Sequence, residues 1–302
     1  MADFARPIEL TDVSTSTRQR KPIRWGKIAI YALLILGLVQ AVFPFLWMVS
    51  ASLMSLTEVT FGNLVPGELR FQNYVEAWDR ANFSQFMWNS IRITVITITG
   101  QLLVCIPAAY AFARMKFFGR NVLFGIMLAT LMIPEVATFI PNYLTVIWLG
   151  RLSDNMLGLP WLNNWPALTI PFMASAFTIF LLRQFFTQIP DDLWDAARID
   201  GAGHLRFLTS IIVPLSRAPI MTSVTFAFIG AWNALLWPLL VTQTDEWRPV
   251  AVGLTKFVTS DAPNALHLQM AAGVLMIIPI LIMYFFTQRQ FTEGIASSGL
   301  KG

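Results

Sequence analysis

The chain has 302 residues, of which 56% are hydrophobic and only 13% charged, with a net charge of +4. A soluble domain carries roughly 25% charged residues, and with a mean hydropathy of +0.60 the composition excludes an ordinary soluble enzyme. It defines an integral membrane protein.

The first 27 residues are polar and rich in Ser, Thr and charge. They are expected to form a cytoplasmic tail, disordered up to about Arg20. No cleavable signal peptide is read, because the first apolar run is too long for a signal core; it is expected to be a retained signal anchor. Apolar runs follow near 28–52, 88–112, 121–149, 167–187, 218–241 and 269–288. A helix needs roughly 20 residues to cross a bilayer, so these predict an all-α integral membrane fold with six transmembrane helices over 28–288. The runs lack the alternation of a membrane β-barrel. Residues 289–302 are expected to be a cytoplasmic tail.

Basic residues set the orientation. Arg6, Arg18, Arg20, Lys21, Arg24 and Lys27 precede the first run, and Arg114, Lys116, Arg120, Arg183, Arg198, Arg206, Arg217, Arg289 and Lys301 fall on the same side. The other side holds Arg70, Arg80, Arg151, Arg248 and Lys256, with Arg92 near an outer helix end. The positive-inside rule predicts both termini and the 189–219 segment in the cytoplasm. The isoelectric point near 9.5 follows from this asymmetry and calls for no nucleic-acid partner.

Within the runs, polar chemistry is sparse. Glu135 follows Pro134 in a run interrupted again at Pro141, which reads either as a carboxylate beside a translocation path or as an ion-coupling group. Pro44, Pro107, Pro171, Pro238 and Pro279 add further breaks, consistent with a cavity and moving gates. Trp232, Asn233 and Trp237 are candidates for the path: the rings would stack on sugar faces and the amide would bond hydroxyls. For Trp237 an interfacial belt or packing role is the competing reading. Cys105 reads as a packing residue. His204 and His267 fall on opposite sides of the membrane and cannot share a metal, and no catalytic constellation or GxxxxGK[ST] loop is present. Any ATP-driven step requires another chain. The 53–87 loop, with Phe71, Tyr74, Trp78 and Phe83, is a candidate surface for an external protein.

The most structured polar segment is 189–219. Pro190 and Asp191–Asp192 signal a helix start, Leu193 to Asp200 suits a helix, and Gly201 stands at its stop. A second helix is expected from His204 to Pro214. Ala196 and Ala197 supply small residues against which a partner could pack closely.

Asp195-Ala196-Ala197 followed by Gly201, Ile212 and Pro214 resembles the EAA signature of bacterial ABC importer permeases. Met132-Ile133-Pro134, Ile140-Pro141, Leu149-Gly150, Asp154-Asn155, Trp232-Asn233, Trp237-Pro238 and the tail Gly299-Leu300-Lys301-Gly302 are similar to the carbohydrate, maltose-type members. The resemblance covers about 30–302 and implies the type I importer (MetI-like) permease fold in a bacterial or archaeal cytoplasmic membrane. It implies a second homologous permease, two cytoplasmic ATPase subunits holding ATP and Mg, and an extracytoplasmic solute-binding protein. It places Asp195, Ala196, Ala197, Asp200, Gly201 and Ala202 at the ATPase, and Gly299, Lys301 and Gly302 at a further ATPase contact. Asp195 stands where the family has Glu; it either docks to an ATPase cation or serves its own helix dipole. The implied function is import of a sugar, expected to be a di- or oligosaccharide. Glycerol phosphate or its diesters is the alternative, with Arg92 as the cation on the path. A secondary transporter or channel acting alone is the alternative of another class.

Overall fold

The computed structural model describes residues 25–258 and 265–298. Among them every regular element is helical, as expected of a chain whose backbone polar groups must be satisfied internally in lipid. The chain divides into a first unit, Met1–Leu46, and a second, Trp47–Gly302. The described part of the first unit belongs to helix α1 (Trp25–Ala51), an unbroken apolar stretch that contains Pro44.

The second unit begins with a short excursion. Helix α2 (Leu56–Thr60) opens with a capping box: Ser55 accepts from the Glu58 amide while Glu58 reaches back to the Ser55 amide. Helix α3 (Gln72–Arg80) is held by Asn73, whose buried amide donates to the Ser52 and Met54 carbonyls at 2.9 and 2.8 Å.

Helix α4 (Phe83–Arg114) is the longest of the interior helices, at 32 residues. Its buried positions include Asn89, Ser90, Thr94, Thr97, Gln101 and Cys105. That spacing makes one polar-to-small seam along the helix, the kind of interface by which helices associate where no hydrophobic force separates them from lipid. It packs against α8 (Ala176–Gln188) and α12 (Arg217–Trp232). Gln101 donates to Thr178 Oγ1 at 2.5 Å, and Cys105 Sγ lies 3.5 Å from the Met173 carbonyl, a buried packing position.

Three expected spans are broken. The 121–149 run forms α5 (Arg120–Thr130), a 3₁₀ turn (Glu135–Thr138) and α6 (Phe139–Leu157), with a 101° bend between the two arms. Pro134 disfavours helical geometry at Ile133, and the break falls where the sequence places an interruption. The fourth run is α7 (Trp165–Thr169), a 3₁₀ turn (Ile170–Phe172) and α8, bent by 40°. The 218–241 run divides into α12 and, beyond Asn233, a short helix over Leu236–Val241. Counted by length and apolarity, the described residues hold three helices able to cross a membrane, or up to six if each bent pair is one span, the third such pair being His204–Leu215 with Arg217–Trp232 at 82°.

Between α8 and α12 lie α9 (Asp192–Ile199), α10 (His204–Phe207), a π-helical turn (Leu208–Ile212) and α11 (Val213–Leu215). The short helix after α12 is α13 (Leu236–Val241), followed by α14 (Val250–Thr255) and α15 (Leu266–Ser298). Helix α15 runs on past residue 288, so the expected tail is helical as far as Ser298.

One core cluster joins Phe83, Phe86, Trp232, Val250 and Leu268. Gly253 of α14 faces it so closely that an added Cβ would lie 2.6 Å from Phe86 Cδ2. The Phe86 ring is fully buried and cannot swing into solvent. Gly253→Ala is therefore expected to destabilise the protein by about 1–3 kcal/mol through overpacking, read as a lower thermal unfolding midpoint in detergent. An unchanged midpoint would show that the ring moves aside freely.

Candidate coupling site

The α9–α10 segment is organised by its own backbone. The Asp191 carbonyl accepts from the Trp194 and Asp195 amides at 2.9 and 3.1 Å, starting α9. Asp192 and Asp195 occupy its first turn and Arg198 its last, each matching the helix dipole. At the other end the Ala202 amide donates to the Ala197 carbonyl at 2.8 Å and the Gly201 amide to the Arg198 carbonyl at 3.0 Å. These two bonds form a Schellman stop, which requires its C′ residue in the left-handed region; Gly201 has φ +74°.

An aromatic cradle seats the segment on the rest of the chain. The Trp194 ring stacks on His204 at 4.5 Å and meets Phe207 edge-on at 5.0 Å. Tyr110 of α4 shares a hydrogen bond of 2.7 Å with His204 Nδ1. Arg114, at the end of α4, pairs with the Asp191 carboxylate and donates to the Ile189 carbonyl.

This seating sorts the two faces of α9. Trp194 and Ala197 point inward, and Ala197 is only 6% exposed, in a cluster with Leu182, Phe186 and Phe207. Asp192, Asp195, Ala196 and Ile199 point outward, the i, i+3, i+4, i+7 pattern of one helical stripe. Of the paired alanines expected at the docking face, Ala196 is exposed and Ala197 is buried behind it as a packing residue. Asp200 and Gly201 are exposed, and Ala202 is half-buried. Sequence reasoning missed two large apolar side chains on this surface: Ile199 is 87% exposed and Leu205 75%. The signal was available, since Ile199 falls on the stripe opposite Trp194.

The candidate path residues separate. Glu135 is exposed at the start of the 3₁₀ turn between α5 and α6. Asn233 is exposed at the end of α12, its amide donating to the Ile229 carbonyl at 3.0 Å. Both sit where a helix breaks. Trp232 and Trp237 do not line an open surface: they are 1% and 4% exposed, in two different core clusters. Their indole N–H groups donate to the Met276 and Ala167 carbonyls at 3.1 and 2.9 Å. Within this chain both rings are packing residues, the competing reading given for Trp237. Gly299, Lys301 and Gly302 lie outside the described residues.

Arg92, read as a cation facing the path, is engaged in a structural network. Its guanidinium lies 4.4 Å from the Trp247 ring centroid and donates to Asn89 Oδ1. The Asn89 amide in turn donates to the Glu246 and Arg248 carbonyls at 2.9 and 3.0 Å. In the same loop Asp245 bonds Lys256 at 2.5 Å and Arg248 at 3.1 Å. Partial burial would raise the Asp245 pKa, but these two cations hold it below the ordinary carboxylate value. A lowered carboxylate pKa contributes stability above the unfolded value, near 3.9, and that contribution is lost as pH falls through the lower folded value. Asp245→Asn should therefore lower the unfolding midpoint slightly at neutral pH and flatten its fall below about pH 4. A variant whose midpoint tracks the parent's at every pH would refute the network's role. Among the described residues no group of three or more His, Cys, Asp or Glu could hold a metal.

The described residues are thus those of a helical membrane protein with interrupted apolar runs and a structured polar helix pair between two of its longer helices. Residues 103–296, which contain the whole helix pair, match the family described as "Binding-protein-dependent transport system inner membrane component". The chain is 32% identical over 278 residues to the sn-glycerol-3-phosphate transport system permease protein UgpE of Brucella abortus (strain 2308), covering 89% of this chain and 95% of that protein. It is 31% identical over 290 residues to the protein of the same name from Agrobacterium fabrum (strain C58 / ATCC 33970), covering 93% and 99%. Among solved structures, it is similar to a chain of a bacterial ABC transporter involved in the import of the acidic polysaccharide alginate, with a TM-score of 0.78, 27% identity and coverage of 88% and 96%. The chain belongs to the family of inner-membrane components of binding-protein-dependent transport systems. It is a non-catalytic permease subunit of an ABC importer, embedded as a multi-pass protein in a bacterial cytoplasmic membrane.

Proposed function

We propose that this chain carries a small phosphate ester of the sn-glycerol 3-phosphate type into the cell, as one of two similar permeases. The observation that carries this reading is the 32% identity to sn-glycerol-3-phosphate permeases across 89% of the chain. It displaces a di- or oligosaccharide as the leading solute. The sugar reading keeps one supporting observation, the likeness to the alginate importer chain. The solutes named for these two relatives are both anions.

In the proposed assembly the chain crosses the membrane six times with both termini cytoplasmic. A second homologous permease completes the path, an extracytoplasmic binding protein delivers solute, and two ATPase subunits bind ATP and Mg. The α9–α10 pair docks on one ATPase through Asp195, Ala196, Ile199, Asp200, Gly201 and Leu205, with Ala197 and Ala202 shaping the helix pair from behind. ATP-driven closure of the ATPases moves this pair and opens the path outward by rigid-body rotation. Glu135 and Asn233, exposed at helix breaks, are the side chains assigned to the path in this reading.

Cells expressing the complete transporter are expected to take up labelled sn-glycerol 3-phosphate saturably. Excess unlabelled sn-glycerol 3-phosphate should compete, and maltose or alginate oligosaccharide should not. Competition only by the sugars would reverse the assignment. Vesicles holding this chain alone should show no flux; flux there would return it to the class of stand-alone transporters.

A further inference from the structure

Helix α4 is anchored at both of its ends to loops on opposite sides of the bundle. Near its C-terminus, Tyr110 shares a hydrogen bond with His204, the first residue of α10, and its ring lies 6.4 Å from that of Phe207. One turn on, Arg114 pairs with Asp191, the residue that starts α9, and donates to the Ile189 carbonyl. Residues 110 and 114 are four apart and share one helix face. The end of α4 therefore grips both short helices of the coupling segment, each at its N-terminus. Arg114 is buried to 9% exposure while Asp191 stays open, so the arginine is part of the bundle reaching out to hold the segment.

At the other end Asn89 binds the Glu246 and Arg248 carbonyls, and Ser90 Oγ accepts from the Val250 amide at 2.7 Å. Between these anchors α4 runs as one helix from Asn89 to Arg114, with Pro107 inside it, on the order of 38 Å at 1.5 Å per residue. Its buried seam locks it to α8 and α12. A stiff element fastened to one loop at each end transmits displacement between them.

We propose that Tyr110 and His204 form the positioning latch that passes motion of the α9–α10 pair into α4, and through it to the 242–250 loop at the far end. This rests on the reading of α9–α10 as the ATPase-docking element. Tyr110 is buried behind the pair, at 4% exposure, while His204 stands exposed at the start of α10, so the hydroxyl is the inward half of the latch. Its loss should leave docking intact and degrade transmission.

The test uses the assembled transporter reconstituted in proteoliposomes, with its binding protein and sn-glycerol 3-phosphate or whichever solute it takes up. Tyr110→Phe deletes one hydroxyl and keeps the ring packed on Phe207. The expected result is unchanged ATPase co-purification, sustained ATP hydrolysis, and about a fivefold drop in solute imported per ATP, the factor set by one lost hydrogen bond. His204→Gln, which keeps a polar partner for the hydroxyl, should retain more coupling than His204→Leu. Hydrogen exchange at the 242–250 amides should lose its response to ATP in Tyr110→Phe. An unchanged import-to-ATP ratio, or equal coupling in the two His204 variants, overturns the latch. So does loss of the ATPases from Tyr110→Phe, because the hydroxyl would then serve docking itself. The docking reading fails separately, and visibly in the parent protein, if the unaltered chain does not hold its ATPases through α9–α10.

Discussion

Gly201→Val is expected to cut ATP-driven uptake at least tenfold while leaving the membrane bundle folded. Gly201 has φ +74° and closes α9 with two amide-to-carbonyl bonds. A left-handed conformation costs an L-residue roughly 1–2 kcal/mol, and for a β-branched side chain it is an outlier that few structures tolerate. An added Cβ at this position meets nothing within 4 Å, so the penalty is not a clash. It falls on the backbone angle that sets α10 against α9. With that turn rearranged, Asp195 and Ile199 on one helix no longer present a common surface with Leu205 on the other. Uptake should fall at least tenfold (about 1.4 kcal/mol in coupling), with the thermal unfolding midpoint of the bundle nearly unchanged. Gly201→Asn should retain the most function, since Asn visits the left-handed region most readily after Gly. A valine variant with parental uptake would remove the turn from the mechanism.

The double substitution Ile199→Asp with Leu205→Asp is expected to release the ATPase subunits. Both side chains stand in solvent in the isolated chain, at 87% and 75% exposure, so the chain itself loses no packing. Burying such a side chain at an interface contributes roughly 1.5–3 kcal/mol. Two losses, with added charge beside Asp195 and Asp200, should weaken association by 100-fold or more, by about 3 kcal/mol at least. The measurement is the ATPase-to-permease ratio after affinity purification and its concentration dependence. Retention of the full complement at submicromolar concentration would place the ATPase contact elsewhere. Ala197→Leu is the informative contrast. Its site is buried against Phe186 and Phe207, so it should lower the unfolding midpoint of the chain and affect the ATPases only through misfolding.

The alanine pair shows how far the sequence could be read. Composition and the run lengths establish a helical membrane protein, because in lipid the backbone admits little else. Pro190, the aspartates and Gly201 mark the two short helices, because caps and stops act over one turn of chain. Which alanine faces the partner is a different kind of fact. Both have the same size and apolarity, and only the seat formed by Trp194, His204 and Tyr110 turns Ala197 inward. The tryptophans repeat the lesson. Trp232 and Trp237 are suited by type to a sugar or to a core, and the Met276 and Ala167 carbonyls that take their N–H groups come from distant parts of the chain. Arg92 was equally open from sequence until Trp247 and Asn89 were brought against it.

The sequence by itself determined the class of protein, the positions of its apolar runs and the helix–stop–helix character of 189–219, since each depends on local composition and on side chains within a turn or two. Tertiary structure alone decided the burial of Trp232 and Trp237, the inward turn of Ala197, and the double anchorage of α4. Those depend on contacts between residues as far apart as Tyr110 and His204 or Asn89 and Arg248, which no local pattern encodes.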